Sequence, residues 1–94
     1  MTKFQKAVKA VFSDKQEFAP IVHPDKIICH RDGSVSLKRS YFYRSGQTAK
    51  GWADKVMADL VCFGVPITLV RFRDEYKSWP QDSWFSVTVK EQGA

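Results

Sequence analysis

The residues with the clearest capacity for chemistry are cations and aromatic rings that share one stretch of the chain. Between Gly33 and Ala53 there is no acidic residue. The cations in this stretch are Lys38, Arg39, Arg44 and Lys50, and the aromatics among them are Tyr41, Phe42, Tyr43 and Trp52. Cations neutralise phosphates and aromatic rings stack on bases, so the pattern favours a nucleic-acid-binding surface. Aromatic residues also fill the core of a small domain, and the pattern is compatible with that use as well.

Two histidine–aspartate pairs have a spacing that could support general acid–base catalysis. Asp25 follows His23 by two residues, and Asp32 follows His30 by two residues. A carboxylate can orient an imidazole, but a reaction also needs a nucleophile or a metal ion. Both aspartates are better explained as turn residues, and the sequence has no glycine-rich phosphate loop, Gly-x-Ser-x-Gly elbow or His-Glu-x-x-His motif. We therefore predict that the protein is not an enzyme and carries no cofactor.

A metal site would have to use two histidines and two cysteines. These are His23, Cys29, His30 and Cys62. Neighbouring residues of a strand point to opposite faces of the sheet, so Cys29 and His30 cannot easily share an ion. Because the cysteines also lack a Cys-x-x-Cys spacing, we predict two reduced, buried thiols and no metal.

Length and composition limit the class of protein. The chain has 94 residues, 44% of them hydrophobic, which predicts one globular domain over residues 1–94 rather than a disordered chain. Lys and Arg number 15 against 10 Asp and Glu, for a net charge of +5. This basic excess favours an anionic partner, although many soluble domains carry a similar charge. No apolar run reaches the roughly 20 residues of a membrane-spanning helix, and we expect a soluble, cytoplasmic protein without a membrane partner.

Two segments have the apolar periodicity of amphipathic helices. In the first, Thr2–Phe12, the residues Thr2 and Gln5 have capping-box spacing. The second runs over Thr48–Phe63, with Thr48 as the N-cap and Gly64 at the position of a left-handed C-cap. Its apolar stripe comprises Ala49, Trp52, Ala53, Val56, Met57, Leu60 and Phe63.

The first hairpin is predicted from strands at Lys26–His30 and Val35–Tyr43, on either side of Asp32-Gly33. An Asp-Gly pair is typical of a two-residue turn, and with that turn Ile28 would face Leu37. The core face would carry Ile28, His30, Val35, Leu37, Arg39, Tyr41 and Tyr43, and the opposite face Ile27, Cys29, Ser36, Lys38, Ser40, Phe42 and Arg44.

A second hairpin is predicted from strands at Ile67–Arg73 and Trp84–Lys90. The order of elements is then α-β-β-α-β-β. It predicts an α+β fold in which two hairpins form an antiparallel four-stranded sheet, with both helices on one face.

Two orientations of the third strand are open. In the first, Val70 and Phe72 point into the core and Arg71 points out. In the second, Ile67 and Leu69 point inward, and Arg71 is buried or left at the edge. We favour the first, because an unpaired buried guanidinium is far more costly than an exposed isoleucine.

The outer face of this sheet is the predicted nucleic-acid-binding surface. Its residues are Lys38, Phe42, Arg44, Arg71, Arg73, Trp84 and Lys90. Sheets that stack bases and neutralise backbone phosphates combine these residue types. The competing interpretation is that such residues are an ordinary solvated sheet surface, with the two aromatics packed on each other or in a dimer. We predict a small basic binding module whose partner is nucleic acid or a nucleoprotein.

The loop from Asp74 to Ser83 suggests an alternative function. It contains Tyr76, Trp79 and Pro80 among acidic residues, and large aromatics in a polar loop commonly anchor protein contacts. The protein would then be a protein–protein interaction module, either a homodimer or a small accessory or inhibitor protein that docks through this loop and a sheet edge. The indole of Trp79 could equally cover an edge of the core.

Overall fold

Two helices and four strands account for most of the residues that the computed structural model describes, which are 1–13, 24–40, 48–75 and 83–93. The helices are α1 (Lys3–Ser13) and α2 (Ala49–Cys62). The strands are β1 (Lys26–Cys29), β2 (Val35–Ser40), β3 (Ile67–Glu75) and β4 (Trp84–Glu91). The predicted α+β class and the order α-β-β-α-β-β are confirmed. Within these residues, neither helix is long and apolar enough to cross a membrane.

The four strands form one antiparallel sheet in the order β1-β2-β4-β3. The two hairpins join where β2 pairs with β4, so the last strand of the chain lies inside the sheet and β3 lies at its edge. All residues from Phe85 to Val89 are buried, and this inner strand is flanked by β2 and β3. The helices pack on one face, and the opposite face is called the outer face below.

Helix α1 begins with the predicted capping box. The Thr2 amide donates to Gln5 Oε1 at 2.9 Å, and the Gln5 amide donates to Thr2 Oγ1 at 3.0 Å. These reciprocal bonds satisfy two amides that the first turn of a helix leaves without partners. The helix then buries Phe4, Val8 and the adjacent pair Val11 and Phe12.

Helix α2 has the predicted caps at both ends. Thr48 Oγ1 accepts from the Gly51 amide at 3.0 Å. At the other end Gly64 has φ +79°, its amide donates to the Val61 carbonyl, and the Val65 amide donates to the Leu60 carbonyl. This pair of bonds is the Schellman motif, in which glycine adopts a left-handed conformation that ends the helix.

The core lies between the helices and the inner face of the sheet. Its buried apolar side chains form a single cluster: Phe4, Val8, Val11, Phe12, Val35, Leu37, Ala49, Trp52, Ala53, Val56, Leu60, Val65, Ile67, Phe85, Val87 and Val89. Trp52 and Leu60 are both fully buried, which confirms the predicted inward side of α2.

Two residues at the end of α2 differ from the sequence prediction. Phe63 was placed in the apolar stripe, but it is 56% exposed, because the helix ends at Cys62 and Phe63 is already the C-cap. Cys62 was expected to be buried and is exposed, whereas Cys29 is half-buried against the core.

The first hairpin differs from its predicted register by one residue. Ile27 pairs with Leu37, and Cys29 pairs with Val35. Both Ile27 and Cys29 therefore pack against the core, while Ile28 lies on the outer face and is 39% exposed.

The turn between β1 and β2 causes this difference. The His30 amide donates to the Ser34 carbonyl at 2.9 Å, and the Gly33 amide donates to the His30 carbonyl at 3.1 Å. A two-residue Asp-Gly turn of type I′ needs positive φ at both residues. Gly33 has φ +95°, but no described non-glycine residue, Asp32 included, has a positive φ. The turn is instead a three-residue turn that ends in a glycine bulge, and the shift of one residue makes the predicted core positions of Ile28 and His30 wrong.

A β-bulge at Val70 explains the orientation of the third strand. Leu69 pairs with Val89, but Arg71 pairs with Thr88, so that Val70 is one extra residue opposite β4. An extra residue inverts the alternation of side chains beyond it. The strand therefore points its apolar residues inward before the bulge and its arginines outward after it.

The favoured orientation of β3 was therefore wrong before the bulge. Ile67 and Leu69 face the core, yet Arg71 is exposed. Phe72 lies on the inner side but is 41% exposed at the sheet edge, and Val70 is 45% exposed. The cost that argued against burying Ile67 and Leu69 does not arise, because the bulge keeps the guanidinium in solvent.

Candidate nucleic-acid interface

Three rows of side chains cross the outer face of the sheet. The pairing register places Ile28, Ser36, Thr88 and Arg71 in the first row, Lys26, Lys38, Ser86 and Arg73 in the second, and Ser40, Trp84 and Glu75 in the third. Residues opposite each other in antiparallel strands point to the same face, so each row is continuous across the sheet. Lys90 follows Thr88 on this face at the next outward position of β4.

Short hydroxyl side chains form the floor of a groove in this face. Ser36, Ser86 and Thr88 lie on the two inner strands, and each is buried although it points away from the core. The groove has a volume of about 180 Å³. Its walls are Ile28, His30 and Lys38 on one side and Arg71, Arg73 and Glu75 on the other. We call this feature the hydroxyl groove.

A hydrogen-bond chain links the β1–β2 turn to the two inner strands across the groove floor. His30 Nε2 is 2.7 Å from Ser36 Oγ, and Ser36 Oγ is 2.8 Å from Thr88 Oγ1. His30 therefore uses its ring nitrogen for a serine rather than for Asp32, the carboxylate two residues away in sequence. The His30–Asp32 pair that could have oriented a general base is not hydrogen-bonded through the imidazole Nε2.

Asp32 instead stabilises the turn. Its Oδ1 accepts from Ser34 Oγ at 2.6 Å and from the Ser34 amide at 2.9 Å. The side-chain bond to Ser34 is the larger cause that lowers the pKa of Asp32, followed by the bond from the Ser34 amide. The aspartate is thus a turn residue, as its sequence position indicated.

Helix α1 holds the same turn from the inner side. Gln5 Nε2 donates to the His30 carbonyl at 2.7 Å and to the Ser34 carbonyl at 3.1 Å. The amide side chain is 3% exposed, so these bonds replace water for two carbonyls at the end of the hairpin. The backbone that carries His30 into the groove is fixed by the helix beneath it.

The charges on the outer face are mostly positive. Lys38 Nζ is 3.4 Å from Glu75 Oε1, and the pair spans β4 with each side chain about one-quarter to one-third exposed. Among the described residues, no salt bridge involves Arg71, Arg73 or Lys90, and all three are exposed. These cations are available to an anion in solution, whereas the charge of Lys38 is partly offset.

Trp84 lies in the third row of the outer face and already has a cation over its ring. Lys26 Nζ is 4.9 Å from the ring centroid, a distance typical of a cation–π contact. The indole is half-buried, so part of its surface remains available for stacking.

The structure brings together five of the residues predicted for nucleic-acid binding. Lys38, Arg71, Arg73, Trp84 and Lys90 share the outer face. Of the other predicted site residues, Phe42, Arg44, Tyr76, Trp79 and Pro80 lie outside the described residues, as do Tyr41, Tyr43 and His23.

Sequence reasoning missed the contributions of Lys26, His30 and Glu75 to this face. It assigned the hydroxyls outward without giving them a role. The signal was the regular placement of Ser and Thr between buried apolar residues in both β2 and β4, which predicts a polar stripe where two inner strands pair. The position of His30 could not be obtained from this signal, because it depends on the turn.

Metal binding has no support in the described part of the chain, where no three His, Cys, Asp or Glu side chains cluster. Cys29 faces the core while His30 lies on the outer face. The expectation that these neighbours point to opposite faces is confirmed.

Comparison with protein families, with curated proteins and with solved structures found no match to this chain.

Proposed function

We propose that this protein is a non-enzymatic module that binds nucleic acid, alone or within a nucleoprotein, through the outer face of its sheet. The observation that carries the proposal is the set of exposed cations Arg71, Arg73 and Lys90, which lie beside the hydroxyl groove without salt-bridge partners among the described residues. Phosphate contacts by such side chains supply most of the affinity in sequence-independent binding.

The spacing of the cations supports contact with several phosphates. Residues on one face of a strand are about 6.8 Å apart, and neighbouring strands are about 4.8 Å apart. By these distances the backbones of Arg71 and Arg73 are about 6.8 Å apart, and those of Lys38 and Arg73, two strands apart, about 9.6 Å. Such separations allow the long side chains to reach different phosphates along a backbone.

The groove supports a sequence-tolerant mode of binding. Its Ser86 and Thr88 hydroxyls donate to phosphate or sugar oxygens, and Trp84 offers part of one ring to a base. The sequence contains no ribonucleoprotein signature, KH-type loop or helix-turn-helix pattern that would indicate readout of base edges. We therefore propose that affinity depends on charge more than on base identity.

A charge-matched pair of variants tests this proposal. In Arg71→Ala/Arg73→Ala the outer face loses two cations, and in the control Lys6→Ala/Lys9→Ala the exposed side of α1 loses two. Both variants have the same net charge. Anisotropy titrations with several unrelated single-stranded oligonucleotides should show at least about tenfold weaker binding for the arginine variant, or 1.4 kcal/mol, and less than about threefold for the control. Equal affinity of both variants, with folding intact by circular dichroism, contradicts the proposal.

A cytoplasmic location is part of the proposal. Cys29 and Cys62 are both free thiols, a state that a reducing compartment maintains.

A second candidate function, a protein–protein interaction module, is favoured by the edge of the sheet. β3 is a nine-residue edge strand, with Val70 and Phe72 each more than 40% exposed. Such an edge can pair with a strand of another chain. If it does, sedimentation at high protein concentration should detect a dimer, and Val70→Lys/Phe72→Lys should restore the monomer. A monomer at every concentration excludes the homodimer.

A further inference from the structure

A cavity of about 660 Å³ lies at the end of the outer face where the chain makes its β1–β2 turn. It is bounded by the first residues of α1, the turn His30–Ser34, the bulge of β3 and the end of β4. His30, Arg71 and Thr88 line both this cavity and the hydroxyl groove. The groove therefore opens into a wider space that the turn and the helix close on one side.

One of the two directions open to the hydrogen-bond chain suits an anion at this junction. When His30 donates from Nε2, Ser36 accepts and donates in turn to Thr88 Oγ1, which leaves the Thr88 hydroxyl proton for an acceptor outside the chain. The hydrogen bonds within such a chain polarise one another, so a negative charge at the end of the chain strengthens each of them. An acceptor at Thr88 would also meet the guanidinium of Arg71, which pairs with Thr88 across the strands.

The charges around the junction favour an anion. Arg71, Lys90 and Arg31 line the cavity together with Asp32 and Glu91. Oδ1 of Asp32 accepts from the hydroxyl and amide of Ser34, and Glu91 pairs with the inward-facing Ile67. Two uncommitted cations, Arg71 and Lys90, therefore lie on the same side as the Thr88 hydroxyl.

We propose that this junction binds the terminal phosphomonoester of a nucleic-acid strand, so that the protein prefers phosphorylated ends. The inference rests on the proposed nucleic-acid binding and adds a site to it. A terminal phosphate carries a charge of about −1.5 to −2 at neutral pH and three acceptor oxygens, which matches a guanidinium, an ammonium and a hydroxyl better than a phosphodiester with one charge. The turn and α1 close this end of the outer face. A nucleic-acid strand can therefore end here, whereas a continuous strand would have to turn away from the protein surface.

The test compares one single-stranded oligonucleotide in three forms: 5′-phosphorylated, 3′-phosphorylated and unphosphorylated. One of the phosphorylated forms should bind about tenfold more tightly than the unphosphorylated form, an increment equal to about 1.4 kcal/mol. A nucleoside monophosphate serves as competitor and distinguishes a free phosphomonoester from a strand end. Competition at micromolar concentration would assign the junction to small phosphomonoesters and overturn the preference for strand ends.

Three variants locate the site. Thr88→Val removes the hydroxyl with little change of shape and should reduce the preference, measured as the ratio of the two affinities in the same variant, to less than twofold. Thr88→Ser retains the hydroxyl and should retain the preference, which separates the loss of a donor from a packing defect. Ser86→Ala removes a groove hydroxyl outside the hydrogen-bond chain and should also retain the preference for the phosphorylated form.

The outcomes distinguish this inference from the function on which it rests. If no oligonucleotide binds, the proposed function fails and the inference fails with it. If all three forms bind equally, the proposed function stands and the terminal-phosphate site is refuted. If the preference exists but survives in Thr88→Val, the site is not at this junction.

Discussion

Replacing Gln5 by glutamate tests how α1 holds the turn beside the groove. Gln5 is 3% exposed; its Oε1 accepts from the Thr2 amide, and its Nε2 donates to the carbonyls of His30 and Ser34. Gln5→Glu keeps an acceptor for Thr2. It replaces the donor with a second oxygen, which then lies against two carbonyl oxygens.

The cost of this substitution has two sources. Two hydrogen bonds are lost at about 1 kcal/mol each, and a buried carboxylate is left without a partner on that side. Leaving a buried charge without its partner typically costs about 3–5 kcal/mol, and we expect a total in that range at pH 7. In a domain of this size 1 kcal/mol moves Tm by roughly 4–8 °C, so Tm should fall by at least about 12 °C.

The pH dependence of the stability of Gln5→Glu shows whether the buried carboxylate causes the loss. Burial beside carbonyls raises the pKa of the new carboxyl in the folded state above its unfolded value. The folded variant therefore recovers stability as the pH falls below its raised pKa, and the full penalty applies only above it. The difference between variant and parent should shrink toward pH 4, near the unfolded value of about 4.3.

Thermal unfolding followed by circular dichroism at pH 7 and pH 4 provides the measurement. Gln92→Glu is the matched control: it makes the same chemical change at an exposed glutamine and should alter stability by less than about 0.5 kcal/mol. A Gln5→Glu protein within 1 kcal/mol of the parent at pH 7 refutes the argument that Gln5 anchors the turn.

Three further predictions concern stability. Leu60→Ala should cost about 2–5 kcal/mol and Trp52→Ala about 3–5 kcal/mol in chemical denaturation, since both side chains are fully buried; losses below 1 kcal/mol would place that side of α2 in solvent. Gly33→Ala should cost about 1–2 kcal/mol because φ is +95°, and an unchanged denaturation midpoint would argue against the glycine bulge. Partial burial raises the pKa of Asp59, so protonation stabilises the fold and this stability is lost as the pH rises through the raised pKa. Asp59→Asn should therefore have a higher Tm than the parent at pH 7 and the same Tm at pH 3; equal Tm values at both pH values would contradict this.

The helices could be predicted because their ends are encoded locally. Thr2 with Gln5, and Thr48 with Gly64, satisfy the backbone groups at helix ends within a few residues of sequence. The alternation of apolar and polar residues likewise predicted which residues of β2 and β4 face outward. These signals do not depend on distant contacts.

The errors in the prediction came from positions where one additional residue reverses the face of the sheet to which the following side chains point. Asp-Gly is compatible with a two-residue turn and with a three-residue turn, which differ in φ at Asp32. The observed turn is hydrogen-bonded to Gln5 and through Ser34. No glycine or proline lies next to Val70 in the sequence, so the sequence contains no signal that predicts the bulge there. The turn contacts the distant residue Gln5, and the bulge is defined by the pairing of β3 with β4.

The candidate site likewise has one part that could be predicted from the sequence and one part that could not. The cations of the outer face follow from alternation within β2 and β4, and beyond the bulge Arg71 and Arg73 faced outward as predicted. The hydrogen-bond chain from His30 to Thr88 could not be predicted, because the expected register placed His30 on the inner face. Three-dimensional pairing was needed to join a histidine from one hairpin to a threonine from the other.

The salt dependence of binding tests the central claim most directly. If the outer face neutralises about four phosphates of a single strand, log K against log salt should have a slope of about −3 for the parent protein. Arg71→Ala/Arg73→Ala should reduce the magnitude of that slope by about 1.4, whereas Lys6→Ala/Lys9→Ala should leave it unchanged. A slope near zero for the parent, or the same slope in the arginine variant, would contradict the assignment of this face as a phosphate-binding surface.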